Sequence, residues 1–326
     1  MDFNTLFHGF NDKKVLVVGD AMIDAYMWGE INRMSPEAPV PVVEVKKHEN
    51  RLGGAANVAL NLKALGADPI LCSVIGTGKR GILFKELMIE SKLSTKGILF
   101  TNKRKTTIKT RVIAEDKHQL RIDEEETSPI LQEKEFLELT LSLMNDIDVI
   151  ILQDYNKGVL TSEIIEGVIA TANKKEIPTV VDPKNYNFNS YNNCTIFKPN
   201  LSEIKVGMKI NFDNNNITEI EKSTFKLRNK ISAKGVLLTL SEGGICMNSE
   251  TEFKHTPAIK RNIIDVSGAG DTVISVASLC LASNMNYTNL SVLSNLAGGI
   301  VCEEVGVVPI NKEKLLKQAL KTLVND

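Results

Sequence analysis

The residues best suited to chemistry form the segment Asp-Val-Ser-Gly-Ala-Gly-Asp at 265–271, directly before an apolar stretch with helical spacing. Gly268, Ala269 and Gly270 are small, so the backbone can turn sharply into a helix and an anion can approach its N–H groups. The positive end of the helix would stabilise charge on a transferring phosphoryl group. Asp271, in the first turn, could accept a proton from a hydroxyl aligned with that group. An aspartate that merely caps the helix is the alternative, but a cap does not require two glycines around an alanine.

A second set of residues could bind a ligand that carries hydroxyl groups. Gly53 and Gly54 precede a helical pattern, and Asn57 offers both a donor and acceptors to hydroxyls. Asp20 and Asp24 follow the first predicted strand, at the carboxyl end where open α/β sheets bind ligands. A glycine pair before a helix is often purely structural. Asp20 is the better ligand candidate, and Asp24 could equally be a helix or turn residue.

These two segments resemble the two signatures of the ribokinase-like (PfkB) carbohydrate kinase family. The resemblance implies that Asp271 is the catalytic base and that the backbone of Gly268, Ala269 and Gly270 forms an anion hole. It also implies that the Gly53–Asn57 turn and an aspartate in the Asp20 region bind the acceptor sugar. ATP and Mg²⁺ are the cofactors that the resemblance implies.

Further matches lie on the side where the family binds its nucleotide. Asn200 and Glu203 resemble the family's NxxE motif, which organises Mg²⁺ through water, although the same spacing is a helix-capping signature. The loop after the strand at 236–240 matches a family loop that binds ATP, and a late helix carries an asparagine at a position that lines the adenine pocket. The nucleotide-side residues expected from this match are Thr239, Ser241, Gly243 and Asn295.

The segment at 33–43, Arg-Met-Ser-Pro-Glu-Ala-Pro-Val-Pro-Val-Val, closely resembles a hallmark of D-glycero-β-D-manno-heptose 7-phosphate kinases. The segments Asp-Tyr-Asn-Lys-Gly at 154–158 and Asp-Pro-Lys at 182–184 resemble the same subgroup. The implied reaction phosphorylates the anomeric hydroxyl to give the 1,7-bisphosphate, in lipopolysaccharide core (ADP-heptose) biosynthesis. The phosphate of such a sugar requires cations, and the candidates are Lys109, Arg111, Lys157 and Lys184.

Two alternatives remain open at this stage. The chain could be another phosphosugar kinase, acting on a fructose or tagatose phosphate, since the fold does not name the acceptor. It could also be a non-catalytic regulator that binds a sugar, although the presence of Asp271, Glu203 and both glycine turns favours an enzyme. No HxGH-type motif of a nucleotidyltransferase occurs, so we expect kinase activity only.

The elements that must position these residues alternate between strand and helix. Short β-branched runs, as at 14–18 and 149–152, are separated by helical patterns, as at 55–65. This alternation predicts a central, mostly parallel sheet flanked by helices, in one domain spanning 1–326. Alternating apolar and polar residues within about 38–47 and 98–123 predict a small β-sheet lid. We expect its exposed edges to pair with a second copy in a homodimer.

The composition restricts the partners. Lys and Arg total 39 and Asp and Glu total 40, so no overall field attracts nucleic acid or an anionic membrane. No targeting or membrane-spanning pattern is present, so we expect a cytoplasmic protein with a small-molecule sugar phosphate as its partner. The five cysteines are scattered and predict small buried apolar residues.

Overall fold

The computed structural model describes residues 2–115 and 117–323. Its strands are β1 Lys14–Gly19, β2 Ala21–Met34, β3 Pro41–Gly54, β4 Asp68–Gly76, β5 Ile98–Thr101, β6 Ile108–Ala114, β7 Lys117–Glu124, β8 Val149–Gln153, β9 Thr179–Asp182, β10 Ile196–Phe197, β11 Gly235–Thr239, β12 Ile245–Ser249 and β13 Phe253–Thr256. Its α-helices are α1 Phe3–Gly9, α2 Ala55–Ala64, α3 Lys79–Glu90, α4 Glu133–Ser142, α5 Ser162–Lys174, α6 Leu201–Met208, α7 Ile217–Lys230, α8 Ala269–Ala282, α9 Tyr287–Val301 and α10 Lys312–Leu323.

Nine of these strands form one large sheet in the order β13-β12-β11-β10-β9-β8-β1-β4-β5. The pairs from β11 to β5 are parallel, and β12 and β13 add an antiparallel edge. Successive residues of β1 enter different hydrophobic cores, Val15 and Val17 on one face and Leu16 and Val18 on the other. The predicted α/β architecture with a sheet covered on both faces is therefore confirmed.

A smaller sheet in the order β3-β2-β6-β7 forms the lid. The sequence located β3, β6 and β7 but missed β2, which carries a β-bulge between Trp28 and Gly29 that interrupts the period-2 pattern. Asp24 therefore lies in a strand and not in a helix or turn. The 98–123 range was also too wide, because 98–101 is the edge strand of the large sheet. The hairpin turn predicted at 115–118 includes residue 116, which lies outside the described residues.

The carboxyl ends of the parallel strands collect polar side chains at one edge of the large sheet. Asp20 follows β1, Asp154 follows β8, Asp182 ends β9 and Lys198 follows β10. The N-termini of α2 and α8 lie close to the same edge, since Asn57 of α2 contacts Asp271 of α8. Residues from six distant segments therefore meet where a ligand binds in open α/β folds.

The cysteines are all buried, which confirms their prediction as small apolar residues. Burial raises the pKa of the Cys72, Cys194 and Cys246 thiols to about 12, so these groups are poor nucleophiles. Across 2–115 and 117–323, none of the helices combines the length and the apolar character that a bilayer crossing requires.

Candidate active site

Asp271 stands in the first turn of α8, and its carboxylate receives three hydrogen bonds. Asn57 Nδ2 donates to Oδ2 at 2.7 Å, and Tyr155 Oη and Gln153 Nε2 donate to Oδ1 at 2.7 and 3.2 Å. A carboxylate has about four acceptor positions. The described residues occupy three of these positions and leave one on Oδ2.

Burial disfavours the ionised form of Asp271 and raises the pKa of its carboxyl to about 6, since only 4% of the residue is exposed. The hydrogen bonds from Asn57 and Tyr155 act in the opposite direction, and the charge of Asp182 adds to the increase. Burial and the neighbouring Asp271 also raise the pKa of Tyr155 well above its ordinary value, so Tyr155 stays a donor. A base with a pKa near 6 is ionised at neutral pH yet basic enough to accept a proton.

The N-terminus of α8 has the close backbone turn that the sequence predicts. Gly268 adopts a left-handed conformation, with φ of 81°, and a Cβ at this position would lie 3.3 Å from Asn57 Nδ2. A side chain here would therefore be strained and would crowd the group that contacts the candidate base. Ala269 and Gly270 form the first turn of the helix, so the positive end of the helix dipole lies at the site, although Ala269 N also donates to the Val266 carbonyl at 3.3 Å.

Lys198 is a site residue that the sequence did not single out. Its Nζ lies 2.9 Å from Asp182 Oδ2, and both side chains are less than a tenth exposed. A Cβ placed on Gly270 would lie 3.8 Å from this ammonium, so a buried positive charge stands beside the N-terminus of α8. The available signal was a lysine directly after a strand of the parallel sheet, at the edge where ligands bind.

Asp20 holds the loop that follows β8. Its Oδ2 accepts from the backbone N–H groups of Tyr155 and Lys157 at 2.8 and 3.0 Å, and its Oδ1 accepts from Val159 N at 3.0 Å. Burial and the nearby Asp154 raise the pKa of Asp20 to about 6. These contacts make Asp20 the residue that fixes the backbone of Tyr155 beside the candidate base, and sugar binding by Asp20 stays a prediction.

Asp24 faces the glycine turn at the end of β3. A Cβ on Gly53 would lie 2.1 Å from Asp24 Oδ2, so only glycine leaves room for this carboxylate. Asp24 forms an ion pair with Arg111, whose guanidinium lies 5.5 Å from the centre of the Tyr26 ring. Gly54 has φ of 58° and leads directly into α2. The lid therefore presents a carboxylate and a guanidinium beside the turn that carries Asn57.

The other predicted cations are also paired with carboxylates. Lys109 Nζ lies 3.0 Å from Asp123 and 3.1 Å from Glu125, and Lys157 Nζ lies 2.9 Å from Glu125. Lys184 forms an ion pair with Glu203, and its ammonium lies 5.7 Å from the centre of the Tyr155 ring. Lys109 and Lys157 therefore both contact Glu125, whereas Lys184 contacts Glu203 of α6.

Asn200 and Glu203 form the capping box of α6. Asn200 Oδ1 accepts from Glu203 N at 2.9 Å, and Glu203 Oε2 accepts from Asn200 N at 2.8 Å. The capping alternative is thus present, and the second oxygen of Glu203 pairs with Lys184. The structure brings together no group of three or more His, Cys, Asp or Glu side chains suited to a metal within its described ranges.

Three of the four nucleotide-side residues lie at the end of β11, and the fourth, Asn295, contacts the segment after β13. Thr239 ends that strand and bridges to Asn200, and Ser241 begins a short 3₁₀ turn that ends at Gly243. The Gly243 carbonyl lies 2.8 Å from His255 Nε2. Asn295 on α9 donates to the Pro257 carbonyl at 2.8 Å. This hydrogen bond holds the segment between β13 and α8 against α9.

Comparison with known proteins identifies the class to which this fold and site correspond. The model of the pfkB family carbohydrate kinases matches residues 12–314. The chain belongs to the pfkB family of carbohydrate kinases. The predicted family and enzyme class are therefore confirmed.

Curated relatives of the chain carry the name "Bifunctional protein HldE". The protein of this name from Syntrophotalea carbinolica is 38% identical over 307 residues, which cover 93% of this chain and 62% of the relative. The one from Campylobacter jejuni strain RM1221 is 38% identical over 302 residues, which cover 93% and 64%. The chain thus spans less than two thirds of the length of these relatives.

Solved structures share the fold at low sequence identity. Arabidopsis thaliana ribokinase complexed with ribose and ATP has a TM-score of 0.73 at 18% identity, covering 94% of this chain and 99% of that one. Escherichia coli phosphofructokinase-2 in complex with fructose-6-phosphate has a TM-score of 0.78 at 16% identity, covering 94% and 98%. These similarities establish the ribokinase-like fold of the chain.

Proposed function

We propose that this chain transfers the γ-phosphoryl group of ATP to the anomeric hydroxyl of D-glycero-β-D-manno-heptose 7-phosphate. The observation that carries the proposal is the single remaining acceptor position on Asp271, at the N-terminus of a helix flanked by Lys198. A hydroxyl that donates to this position lies next to the place where a phosphoryl group would meet the helix N–H groups. The product is the 1,7-bisphosphate.

In the reaction, the hydroxyl oxygen forms a bond to the γ-phosphorus as the bond from that phosphorus to the β,γ-bridging oxygen breaks. The hydroxyl proton passes to Asp271 Oδ2, and ADP carries away the electron pair of the broken bond. Tyr155 and Gln153 hold Oδ1, which orients the carboxylate while Oδ2 accepts the proton. The backbone of Gly268, Ala269 and Gly270 together with Lys198 stabilises the negative charge on the phosphoryl oxygens.

ATP and Mg²⁺ fit the donor set at this edge of the sheet. Mg²⁺ retains several waters and binds mainly to nucleotide phosphates, so it needs few protein carboxylates. Asp182 and Glu203 are the nearby acidic groups, each paired with a lysine, and Glu203 would hold the ion through water. When bound, Mg²⁺ neutralises charge on the phosphates. Thr239, Ser241, Gly243 and Asn295 are the proposed nucleotide contacts, with Asn200 holding Glu203.

The substrate assignment is supported by the segment at 33–43, which connects the two longest lid strands, and by the cations on the lid side of the site. Asp24, Gly53, Gly54 and Asn57 would contact the sugar hydroxyls, and Asp20 would fix the loop beneath them. The relatives named HldE, at 38% identity, are consistent with this choice.

A panel of sugars tests the substrate. ADP release would be measured with heptose 7-phosphate, its unphosphorylated parent, fructose 6-phosphate, tagatose 6-phosphate and ribose. We expect kcat/KM to be highest for heptose 7-phosphate and the product to lose its reducing end. A higher kcat/KM for a fructose or tagatose phosphate would replace the proposed acceptor, and failure to phosphorylate any sugar would contradict catalysis itself.

Replacing Tyr155 by Phe removes a donor to the Asp271 carboxylate and should raise its pKa further. The base is active when ionised, so the rising acid limb of kcat against pH moves to higher pH. If the pKa rises by about one, turnover at pH 6 falls roughly fivefold, while turnover at pH 8 changes little. Turnover profiles from pH 5 to 9 measure this effect.

Tyr186→Phe is the matched control, because Tyr186 is 82% exposed. Its profile should match that of the wild type. A Tyr155→Phe profile that is lower at every pH but has the same acid limb would contradict the proposed contact.

We also propose a homodimer formed through the lid. Leu120 and Ile122 lie two residues apart on the edge strand β7, and 59% and 44% of these residues are exposed. Side chains at this spacing share one face, so they form an apolar strip at the outer edge of the small sheet, as far as the described residues show. Sedimentation of the purified chain as a monomer at micromolar concentration would refute this dimer.

A further inference from the structure

Two lysines from different parts of the fold meet at one carboxylate. Glu125, directly after β7, places Oε2 at 3.1 Å from Lys109 Nζ and Oε1 at 2.9 Å from Lys157 Nζ. Lys109 belongs to the lid strand β6, and Lys157 belongs to the loop after β8 in the main domain. Glu125 therefore bridges the lid and the main domain through two ammonium groups.

The position of this cluster relative to the candidate base suits a long acceptor. Lys157 lies two residues after Tyr155, whose hydroxyl contacts Asp271, so their Cα atoms are at most about 7 Å apart. On the lid side, Lys109 is the register partner of Asp24, which faces the Gly53 turn. A sugar with its reacting hydroxyl at Asp271 would thus extend past Asp24 toward Lys109 and Lys157.

Three cations of the cluster, Lys109, Lys157 and Arg121, share the two carboxylates of Glu125 and Asp123, so the cluster carries an excess of positive charge. The two lysines face Glu125 and Asp123, and Asp123 also binds Arg121 at 3.0 Å. If Glu125 moved away, Lys157 would lose its contact with this carboxylate. Lys109 would keep its contact with Asp123. A phosphate monoester carries nearly two negative charges and three acceptor oxygens, so it could contact both ammonium groups at once.

Glu125 is more exposed than the two lysines that it joins and than the neighbouring carboxylate Asp123. Its side chain is 27% exposed, compared with 15% for Lys109 and 12% for Lys157. Burial opposes ionisation of Glu125, but the hydrogen bonds from Lys157 and Lys109 outweigh it, so the pKa of Glu125 lies below its ordinary value. The Glu125 carboxylate is thus charged and close to the surface, so water can solvate it when it leaves the two lysines.

We propose that Lys109 and Lys157 form the subsite for the distal phosphate of the acceptor sugar, and that Glu125 occupies this subsite until the phosphate displaces it. This inference rests on the proposed phosphosugar kinase activity and adds two features to it. Glu125 competes with the substrate phosphate, which lowers apparent affinity. The phosphate, once bound, takes over the bridge between a lid lysine and a main-domain lysine that Glu125 otherwise makes.

The matched test compares Glu125→Gln, Lys109→Met and Lys157→Met with heptose 7-phosphate and its unphosphorylated parent. Glu125→Gln removes the competing charge and should lower the KM for the phosphorylated sugar about 2- to 5-fold, the scale of a partly exposed ion pair. Each lysine variant loses a charge-assisted contact and should raise that KM about 10- to 100-fold. The KM for the unphosphorylated sugar should change less than about twofold in all three variants.

Inorganic phosphate provides a second measurement, as a competitive inhibitor against the phosphosugar at saturating ATP, which fills the N-terminus of α8. Glu125→Gln should strengthen this inhibition, and each lysine variant should weaken it. The controls are Glu138→Gln and Lys134→Met, a pair on α4 with side chains 69% and 87% exposed, which should change neither value.

Equal KM changes for the phosphorylated and unphosphorylated sugars would overturn the subsite, as would unchanged phosphate inhibition in Glu125→Gln. If another phosphosugar is turned over in place of heptose 7-phosphate, the proposed substrate is wrong and the same comparison runs with that sugar. If no phosphosugar is turned over, calorimetric titration of inorganic phosphate with a non-hydrolysable ATP analogue present decides the subsite alone. Binding that is unaffected by all three substitutions would then refute it.

Discussion

Replacing Asp271 by Asn is expected to lower kcat about 10²- to 10⁴-fold, the usual contribution of a positioned general base. An amide cannot accept the hydroxyl proton, although it keeps the shape of the carboxylate. In the proposed mechanism the nucleotide phosphates contact helix N–H groups that this substitution leaves in place, so the Kd for ATP should stay within about threefold. Steady-state turnover and calorimetric ATP titration measure the two quantities.

Stability separates this effect from unfolding. Because burial raises the pKa of Asp271 from 3.8 to about 6, the ionised carboxyl disfavours the folded state, and this cost grows as the pH rises from about 4 to 6 and persists above it. A neutral Asn avoids this cost, but its NH2 group faces one of the donors to Asp271, so the two effects oppose each other and the melting temperature at pH 7.5 should stay close to that of the wild type. Asp68→Asn, at an exposed position, is the control for turnover. Substantial turnover by Asp271→Asn would refute the base assignment.

Replacing Lys198 by Met should reduce both stability and turnover. The substitution leaves the buried Asp182 carboxylate without its cation, and breaking a buried ion pair from one side costs about 3–5 kcal/mol of unfolding free energy. It also removes the positive charge beside the N-terminus of α8, where the proposed mechanism places the negative charge of the transferring phosphoryl group. Loss of one preorganised electrostatic contact of this kind lowers kcat about 10²- to 10³-fold. Urea unfolding and single-turnover kinetics measure the two effects.

The double substitution Lys198→Met with Asp182→Asn separates the two roles. It removes the buried charge, and the amide oxygen introduced by Asp182→Asn can still accept from Gln153 Nε2, which donates to Asp182 at 3.2 Å in this structure. We expect most of the lost stability to return while turnover stays low. Recovery of turnover together with stability would mean that Lys198 only neutralises Asp182.

The sequence was most informative where one short segment contains all the residues that the proposed chemistry requires. The Asp265–Asp271 segment contains the small residues, the helix start and the carboxylate of the proposed base, so its interpretation did not depend on distant partners. The strand at 14–18 was equally clear, because burial on both faces requires a continuous apolar run. Lid strand β2 was missed, because a bulge breaks its alternation.

The sequence was less informative for charged side chains, because local patterns do not reveal their partners. Asp20 was preferred over Asp24, yet the backbone of a loop more than 130 residues away uses the Asp20 oxygens. Lys109, Lys157 and Lys184 were predicted as cations, and the structure pairs each with a carboxylate. Gln153 and Lys198 were not singled out at all.

The sequence alone determined the α/β class, the family signatures and the choice of Asp271 as candidate base, since these depend on residue type and short-range spacing. The tertiary structure decided which groups surround the Asp271 carboxylate. It also decided that Lys109 and Lys157 both pair with Glu125. The physical reason is the parallel sheet: its strands end at one edge, and side chains from β1, β8, β9 and β10 meet there although they are far apart in sequence. Asp271 therefore depends for its pKa on burial and on the hydrogen bonds from Asn57 and Tyr155, and for its orientation on these two residues and Gln153, all of which only the fold brings together.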